Sequence, residues 1–122
     1  MKTCLVVDDS QPLRGLAAKI VEGLGLCVSE AGDGAEALAR CRDRMPDAIL
    51  LDWNMPVMSG IDFLKALAAE TSGRLPLVIF CSGESSVRHI QEALAAGADD
   101  YVIKPFDREV LALKFRGCGL IG

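Results

Sequence analysis

The chain alternates short apolar runs with segments in which apolar residues recur every three or four positions. A short apolar run bounded by turn residues predicts a buried β-strand, and the wider spacing predicts an amphipathic helix. Strands are predicted at 4–7, 27–31, 48–51, 77–81 and 101–103. Helices are predicted at about 13–24, 34–44, 60–70, 86–96 and 107–115. The pattern is therefore five repeats of a strand followed by a helix.

Two of the predicted helices carry a well-defined apolar side. In the first helix the apolar residues at helical spacing are Leu13, Leu16, Ala17, Ile20, Val21 and Leu24. Glycines at positions 23 and 25 end this helix. In the helix at 86–96 the apolar side carries Val87, Ile90 and Leu94.

The strands indicate the fold class. Strands that are apolar throughout are buried on both faces, which favours a parallel sheet covered by helices on both sides. We therefore predict an α/β fold, a doubly wound, flavodoxin-like parallel sheet of five strands in the order 2-1-3-4-5, with five helices. The second strand contains Ser29 and Glu30 and is predicted to be an edge. No linker or low-complexity segment interrupts the repeats, so residues 1–122 are expected to form a single domain without an output domain.

Composition excludes several classes of function. Hydrophobic residues make up 51% of the chain and charged residues 25%, as in globular proteins. The net charge is −4 and no stripe of Lys and Arg is present, so no DNA binding is expected. No apolar run approaches the roughly 20 residues of a membrane span, so no membrane insertion is expected.

The five cysteines are odd in number, scattered and never in a C-x-x-C pair. Three of them lie inside apolar runs, which favours reduced, packed thiols in a cytoplasmic protein. Cys118, which stands between two glycines, is the one expected to be exposed.

Chemically active side chains follow four of the five predicted strands. Asp8 and Asp9 follow the first strand, Asp52 the third, Ser82 the fourth and Lys104 the fifth. Ligands of doubly wound sheets bind at the carboxyl ends of the strands, so these groups should converge there. Carboxylates brought together repel one another and raise each other's pKa values, and a divalent cation relieves that repulsion. Hard oxygen ligands suit Mg²⁺.

The remaining groups indicate phosphoryl chemistry. A carboxylate can act as a nucleophile and form an aspartyl phosphate. Transfer then depends mainly on positioning and on neutralising the phosphoryl oxygens. Mg²⁺ could take one oxygen, Lys104 a second, and the Ser82 hydroxyl with nearby backbone N–H groups the third. Asp52 is the predicted nucleophile because it ends the middle strand, whereas the paired Asp8 and Asp9 suit metal binding.

Four sequence blocks, in order and at matching separations, resemble a known family over nearly the whole chain. They are VVDDS at 6–10, LLDWNMP at 50–56 with Gly60, CSGES at 81–85, and AAGADDYVIKPF at 95–106. With these blocks the chain resembles the receiver domain of a two-component response regulator, of the stand-alone, CheY-like kind.

The resemblance implies a role for each matching residue at the metal and acceptor positions. Asp52 matches the phosphorylated aspartate. Asp9 matches a direct Mg²⁺ ligand and Asp8 one that acts largely through water, and the backbone carbonyl of Asn54 matches a further ligand. Mn²⁺ can substitute for Mg²⁺ in such sites. Asn54 and Glu84 match the positions that tune dephosphorylation, and their combination resembles that of short-lived, chemotaxis-type regulators.

Three further residues match the switch machinery of the family. Ser82 matches the switch hydroxyl, although threonine is more usual there and would have a more restricted side-chain rotamer. Lys104 matches the residue that pairs with the phosphoryl group, and its bond to Pro105 matches a cis peptide. Tyr101 matches the aromatic residue that moves inward when the hydroxyl shifts. Trp53, beside Asp52, is predicted to be a packing residue and a fluorescence reporter.

The resemblance implies a phospho-switch that takes its phosphoryl group from a histidine kinase or histidine phosphotransferase. It then signals by protein contact through helix 4, strand 5 and helix 5, or serves as a phosphate sink or relay. The glycine-rich tail after Phe115 departs from the family pattern next to this surface. The sequence therefore does not identify the partner protein.

Two other functions are alternatives to the phospho-switch: an aspartyl-phosphate phosphatase and a receiver that works without phosphate. An aspartyl-phosphate phosphatase would need an acid two residues after the nucleophile, where this chain has Asn54. A degenerate receiver would bind its partner without phosphate, but every element of the acceptor site is present. Dinucleotide binding is excluded because DDSQPLRG lacks G-x-G-x-x-G. The chain is therefore expected not to be a turnover enzyme.

Overall fold

The computed structural model describes residues 1–55, 57–71, 73, 75–83 and 87–122. Within them, five parallel strands form one sheet in the order β2-β1-β3-β4-β5. The strands are β1 (Thr3–Val7), β2 (Cys27–Ala31), β3 (Ala48–Asp52), β4 (Leu77–Ser82) and β5 (Asp100–Ile103). The helices are α1 (Gln11–Gly23), α2 (Gly34–Asp43), α3 (Gly60–Glu70), α4 (Val87–Ala95) and α5 (Arg108–Gly117). The predicted fold class and strand order are confirmed, with β2 at one edge.

The strand register brings the carboxyl ends of three strands together. Val7 pairs with Leu51, so the next residues of the two strands, Asp8 and Asp52, lie side by side. On the other side of β3, Asp52 itself pairs with Cys81. Parallel pairing therefore places the ends of β1, β3 and β4 at one edge of the sheet, as the alternation of strands and helices predicted.

Side chains alternate between two cores, one on each face of the sheet. Along β1, Leu5 and Val7 face one core and Cys4 and Val6 face the other. The first core packs side chains of α2, α3 and α4 against the sheet and contains Trp53, Phe63, Phe80 and Tyr101. The second packs α1 and α5 and contains Val21, Leu111 and Phe115. This double coverage explains why the central strands are apolar throughout.

The last helix starts one residue later than predicted, because Asp107 is its N-cap. The Asp107 carboxylate accepts a hydrogen bond from the Val110 backbone N–H at 2.9 Å, and Asp107 itself has extended backbone angles. A capping residue satisfies a free N–H at the start of the helix and lies just outside it.

The apolar sides predicted for α1 and α4 are only partly covered. In α1, Ala17 and Val21 are buried, but 49% of Leu13 and 60% of Leu16 are exposed. In α4, 71% of Val87 is exposed. Helical spacing identifies a common side of a helix, but it does not say how far the sheet extends beneath that side.

The cysteine prediction is partly wrong. Cys4 and Cys81 are buried free thiols, as expected for cysteines in apolar runs, and Cys41 of α2 is buried although it stands between two arginines. The exposed thiol, however, is that of Cys27, whereas Cys118 is half-buried. Cys27 opens the edge strand β2, which is mostly uncovered, and this placement explains its exposure. Within the described part of the chain, no helix is long and apolar enough to cross a membrane.

Candidate phosphoacceptor site

Three aspartates converge at the carboxyl edge of the sheet. Asp8, Asp9 and Asp52 each place one carboxylate oxygen within 4.8 Å of the others. Asp8 and Asp52 are buried, and Asp9 is exposed. All of these donor atoms are hard oxygens, the type that Mg²⁺ and similar divalent cations prefer. The donor set therefore fits a divalent cation at the position that the sequence predicted.

Lys104 joins two of these carboxylates. Its Nζ donates to Asp8 Oδ2 at 3.0 Å and to Asp52 Oδ1 at 3.1 Å. Burial by itself would lower the pKa of Lys104, but the hydrogen bonds to the two aspartates outweigh burial, and the pKa is raised. The ammonium therefore stays charged between the two carboxylates, and the predicted association of Lys104 with this cluster is confirmed.

The Asp52 carboxylate is held in an unusual electrostatic environment. Burial, with smaller contributions from the charges of Asp8 and Asp9, raises its pKa from 3.8 to about 6 against the lowering effect of Lys104. Because this value is still below neutral, most Asp52 side chains are ionised at neutral pH. A buried, ionised carboxylate with a cation on one side is a suitable nucleophile.

Backbone contacts hold the Asp52 position from both sides. The Trp53 N–H donates to the Cys81 carbonyl at 2.9 Å, and the Gly60 N–H donates to the Trp53 carbonyl at 3.1 Å. A Cβ atom at Gly60 would lie 2.6 Å from the Asp52 carbonyl oxygen and 2.6 Å from Phe80 Cε1. Only glycine allows α3 to start this close to the end of β3.

The backbone also fixes Lys104 in place. The Lys104 N–H donates to the Ser82 carbonyl at 2.8 Å. The peptide bond between Lys104 and Pro105 is cis, as the family resemblance implied. Lys104 therefore follows the end of β5 directly beside the end of β4.

Ser82 and Tyr101 lie in a second group of side chains next to the carboxylates. Ser82 is buried, and its Oγ lies 3.3 Å from Nε2 of His89. The centroid of the imidazole ring lies 3.7 Å from that of the Trp53 ring, and the two ring planes make an angle of 37°. It meets the buried Tyr101 ring edge-on at 6.1 Å. Trp53 is buried against Phe80, so its predicted packing role is confirmed.

Sequence reasoning missed His89. Two features could have pointed to it. His89 is the only histidine of the chain, and it lies in the first turn of the helix that follows Ser82. Asn54 is exposed on the loop after β3, and its backbone carbonyl remains a predicted ligand. Glu84 lies outside the described residues, so its role also remains a prediction.

A cleft of about 370 Å³ opens beside the carboxylates. Its walls include the exposed Leu13 and Leu16 of α1 and Phe106, together with Asp52 and Lys104. Asp52, although buried, therefore borders a cavity that also has an apolar wall.

Comparison with known proteins agrees with this geometry. Residues 4–116 match the family model described as the response regulator receiver domain. The chain is 37% identical over 111 residues to the chemotaxis protein CheY of Pseudomonas aeruginosa, covering 90% of each protein. It is 40% identical over 114 residues to the probable transcriptional regulatory protein TcrX of Mycobacterium tuberculosis, covering 93% of this chain and 48% of TcrX.

Solved structures show the same architecture. The chemotaxis response regulator CheY4 of Vibrio cholerae superposes with a TM-score of 0.88 at 34% identity, covering 96% of this chain and 98% of that one. The chain spans about half the length of several curated relatives, among them TcrX and the DNA-binding response regulator MtrA of Mycolicibacterium smegmatis.

Proposed function

This chain belongs to the family of response regulator receiver domains, and on that basis we propose that it is a phospho-switch whose acceptor is Asp52. The phosphoryl donor in this proposal is a histidine kinase or a histidine phosphotransferase. The observation that carries the proposal is the environment of Asp52: a buried carboxylate lies 3.1 Å from the Lys104 ammonium and beside two further aspartates.

The proposed transfer step uses Asp52, Lys104 and Ser82, which lie at the carboxyl edge of the sheet. An ionised oxygen of Asp52 attacks phosphorus, an O–P bond forms, and the bond from phosphorus to the donor nitrogen breaks. The bonding electron pair leaves with the donor imidazole, which takes up a proton from water to become neutral, and the product is an aspartyl phosphate. Lys104 offsets the charge of the phosphoryl oxygens, and the Ser82 hydroxyl is positioned one strand away to bind another of them.

A divalent cation belongs to this proposal. Asp8, Asp9 and Asp52, together with the backbone carbonyl of Asn54, are the proposed ligands of Mg²⁺ or, in its place, Mn²⁺. When bound, the ion supplies charge neutralisation at the phosphoryl oxygens. The cluster supports this assignment, because it holds three carboxylates and the Lys104 ammonium pairs with two of them, so the negative charge is only partly offset.

The proposed output surface consists of α4, β5 and α5. Apolar side chains are exposed on each of these elements, including Val87 on α4, Ile103 on β5 and Leu113 on α5. Exposed apolar groups on neighbouring elements suit a protein partner. A chemotaxis-type target is one candidate, supported by the Asn54 and Glu84 pair. A phosphate sink or relay uses the same acceptor without this surface.

The proposal also places the protein in the cytoplasm and classes it as a phosphoacceptor, not as a turnover enzyme. The five free cysteines support a reducing compartment. Asn54 supports the second point, because it stands where an aspartyl-phosphate hydrolase would have its second acid.

Incubation with acetyl phosphate and Mg²⁺ tests the proposal. Trp53, the only tryptophan, lies next to Asp52 and should report phosphorylation by a change in fluorescence that Asp52→Asn abolishes. A wild-type protein without a change in fluorescence or mass would favour a phosphate-independent binding module. Release of many equivalents of phosphate per protein would favour a phosphatase. Phosphotransfer profiling against the kinases of the source organism would then identify the donor.

A further inference from the structure

His89 connects α4 to the ends of two strands that surround the acceptor. Its Nε2 lies 3.3 Å from the hydroxyl oxygen of Ser82, at the end of β4. Its ring lies 3.7 Å from that of Trp53, the residue that follows Asp52 at the end of β3. Its ring also meets Tyr101 of β5 edge-on. One side chain of α4 therefore contacts residues of β4 and β5 and the residue that directly follows β3.

The groups that His89 touches are themselves held in place. The Trp53 backbone is hydrogen-bonded to Cys81 and to Gly60, and the Ser82 carbonyl accepts from the Lys104 N–H. These contacts fix the main chain on both sides of the hydroxyl but do not themselves fix rotation about the Cα–Cβ bond of Ser82. A serine is not β-branched, so its own structure does not restrict this rotation as a threonine's would. The hydrogen bond to the imidazole is a restriction of this kind, supplied by another side chain.

We propose that His89 is a positioning residue, which holds the Ser82 hydroxyl in the unphosphorylated protein and must release it when a phosphoryl group forms on Asp52. The inference rests on the proposed function. It adds that this chain uses an α4 histidine to help set the resting position of the switch serine. Because His89 also contacts Trp53 and Tyr101, release of the hydroxyl is transmitted to α4.

Two substitutions separate the hydrogen bond from the ring contacts. His89→Phe keeps an aromatic ring beside Trp53 and Tyr101 but cannot bond to Ser82. His89→Gln keeps a polar group within reach of Ser82 but loses the ring. If the hydrogen bond restrains the hydroxyl, H89F should be phosphorylated by acetyl phosphate about five-fold faster than wild type, the effect of one ordinary hydrogen bond. H89Q should retain a rate close to that of wild type.

The same substitution in a second background tests whether the effect passes through Ser82. In Ser82→Ala there is no hydroxyl to hold, so adding H89F should leave the phosphorylation rate unchanged. An equal acceleration in both backgrounds, or an H89F rate no higher than that of wild type, overturns the role of His89.

A measurement on the unmodified chain covers the case in which H89F does not fold. Because His89 is the only histidine, its imidazole proton resonances need no assignment. They should shift when acetyl phosphate and Mg²⁺ are added to the wild type, and they should stay in place in Asp52→Asn. An unchanged spectrum of a protein that carries the phosphoryl group overturns the His89 role alone. Absence of the phosphoryl group from wild type, seen by intact mass, overturns the proposed function and this role with it.

Discussion

The Lys104 ammonium lies 3.1 Å from the Asp52 carboxylate, the proposed phosphoacceptor, and 3.0 Å from that of Asp8. The cation that would neutralise an incoming phosphoryl group is thus already bound between carboxylates in the unphosphorylated protein. Any divalent cation that binds here shares those carboxylates with Lys104, and the two positive charges repel each other.

This competition predicts that Lys104→Met binds Mg²⁺ more tightly than wild type. Removing a unit charge a few ångströms from the metal position should strengthen binding by about tenfold. Titration with Mg²⁺, followed by Trp53 fluorescence, measures the affinity. Lys114→Met is the matched control. Lys114 of α5 also pairs with an aspartate, Asp100, at 3.0 Å, but its substitution should leave the Mg²⁺ affinity unchanged. Weaker or equal binding in K104M would contradict the shared-carboxylate arrangement.

The raised pKa of Asp52 predicts a pH-dependent stability. Because burial raises this pKa from 3.8 to about 6, the native state binds a proton more tightly than the unfolded chain does. The associated stability is present below about pH 4 and is lost as the pH rises through about 6. Asp52→Asn stays neutral at every pH, so without Mg²⁺ its unfolding free energy should exceed that of wild type by about 2 to 3 kcal/mol near pH 7.5.

Urea unfolding at two pH values tests this expectation. The advantage of D52N should shrink towards zero near pH 4, where the wild-type carboxyl group is neutral as well. A gain of equal size at both pH values would show that the substitution acts through packing and not through the charge.

The contact between α3 and the end of β3 predicts a strong effect of one methyl group. Gly60→Ala would place its Cβ 2.6 Å from both a backbone oxygen and a buried ring, so it should destabilise the fold by about 2 to 4 kcal/mol. Gly15→Ala is the control, because a Cβ in that helical position has no neighbour within 4 Å. That substitution should stabilise by about 0.5 to 1 kcal/mol. Similar melting temperatures for the two variants would be inconsistent with the described packing.

Val57 is predicted to be a strained position. Its φ of 69° lies in the left-handed region, which a β-branched residue rarely adopts, and its side chain is fully exposed. Val57→Asn should therefore raise the unfolding free energy by about 1 kcal/mol, because asparagine tolerates this conformation and no packing is lost. Val57→Ile keeps the β-branch and should bring no gain. Chemical denaturation of the three proteins makes the comparison.

The sheet and the carboxylate cluster could be predicted from sequence for the same reason. Apolar runs identify central parallel strands, and parallel pairing forces the residues after them to one edge. Asp8, Asp52 and Lys104 therefore meet wherever the strands end, with no knowledge of side-chain packing required.

The group around His89 could not be predicted in this way. Its contacts depend on the rotation of α4 about its own axis. Apolar spacing predicts this rotation wrongly, because 71% of Val87 and 49% of Leu94 are exposed while Ala93 is buried. The exposure of Leu13 and Leu16 in α1 has the same origin. The positive φ of Val57 could not be predicted from the sequence, because valine rarely adopts a positive φ.

The central claim is that Asp52 is the phosphoacceptor, and peptide mapping of the phosphorylated protein tests it most directly. After incubation with acetyl phosphate and Mg²⁺, the intact wild-type protein should gain the mass of one phosphoryl group. Rapid digestion and tandem mass spectrometry should place it on Asp52 and not on Asp8 or Asp9, and Asp52→Asn should gain none. A phosphoryl group on another residue, or equal labelling of D52N, would contradict the account.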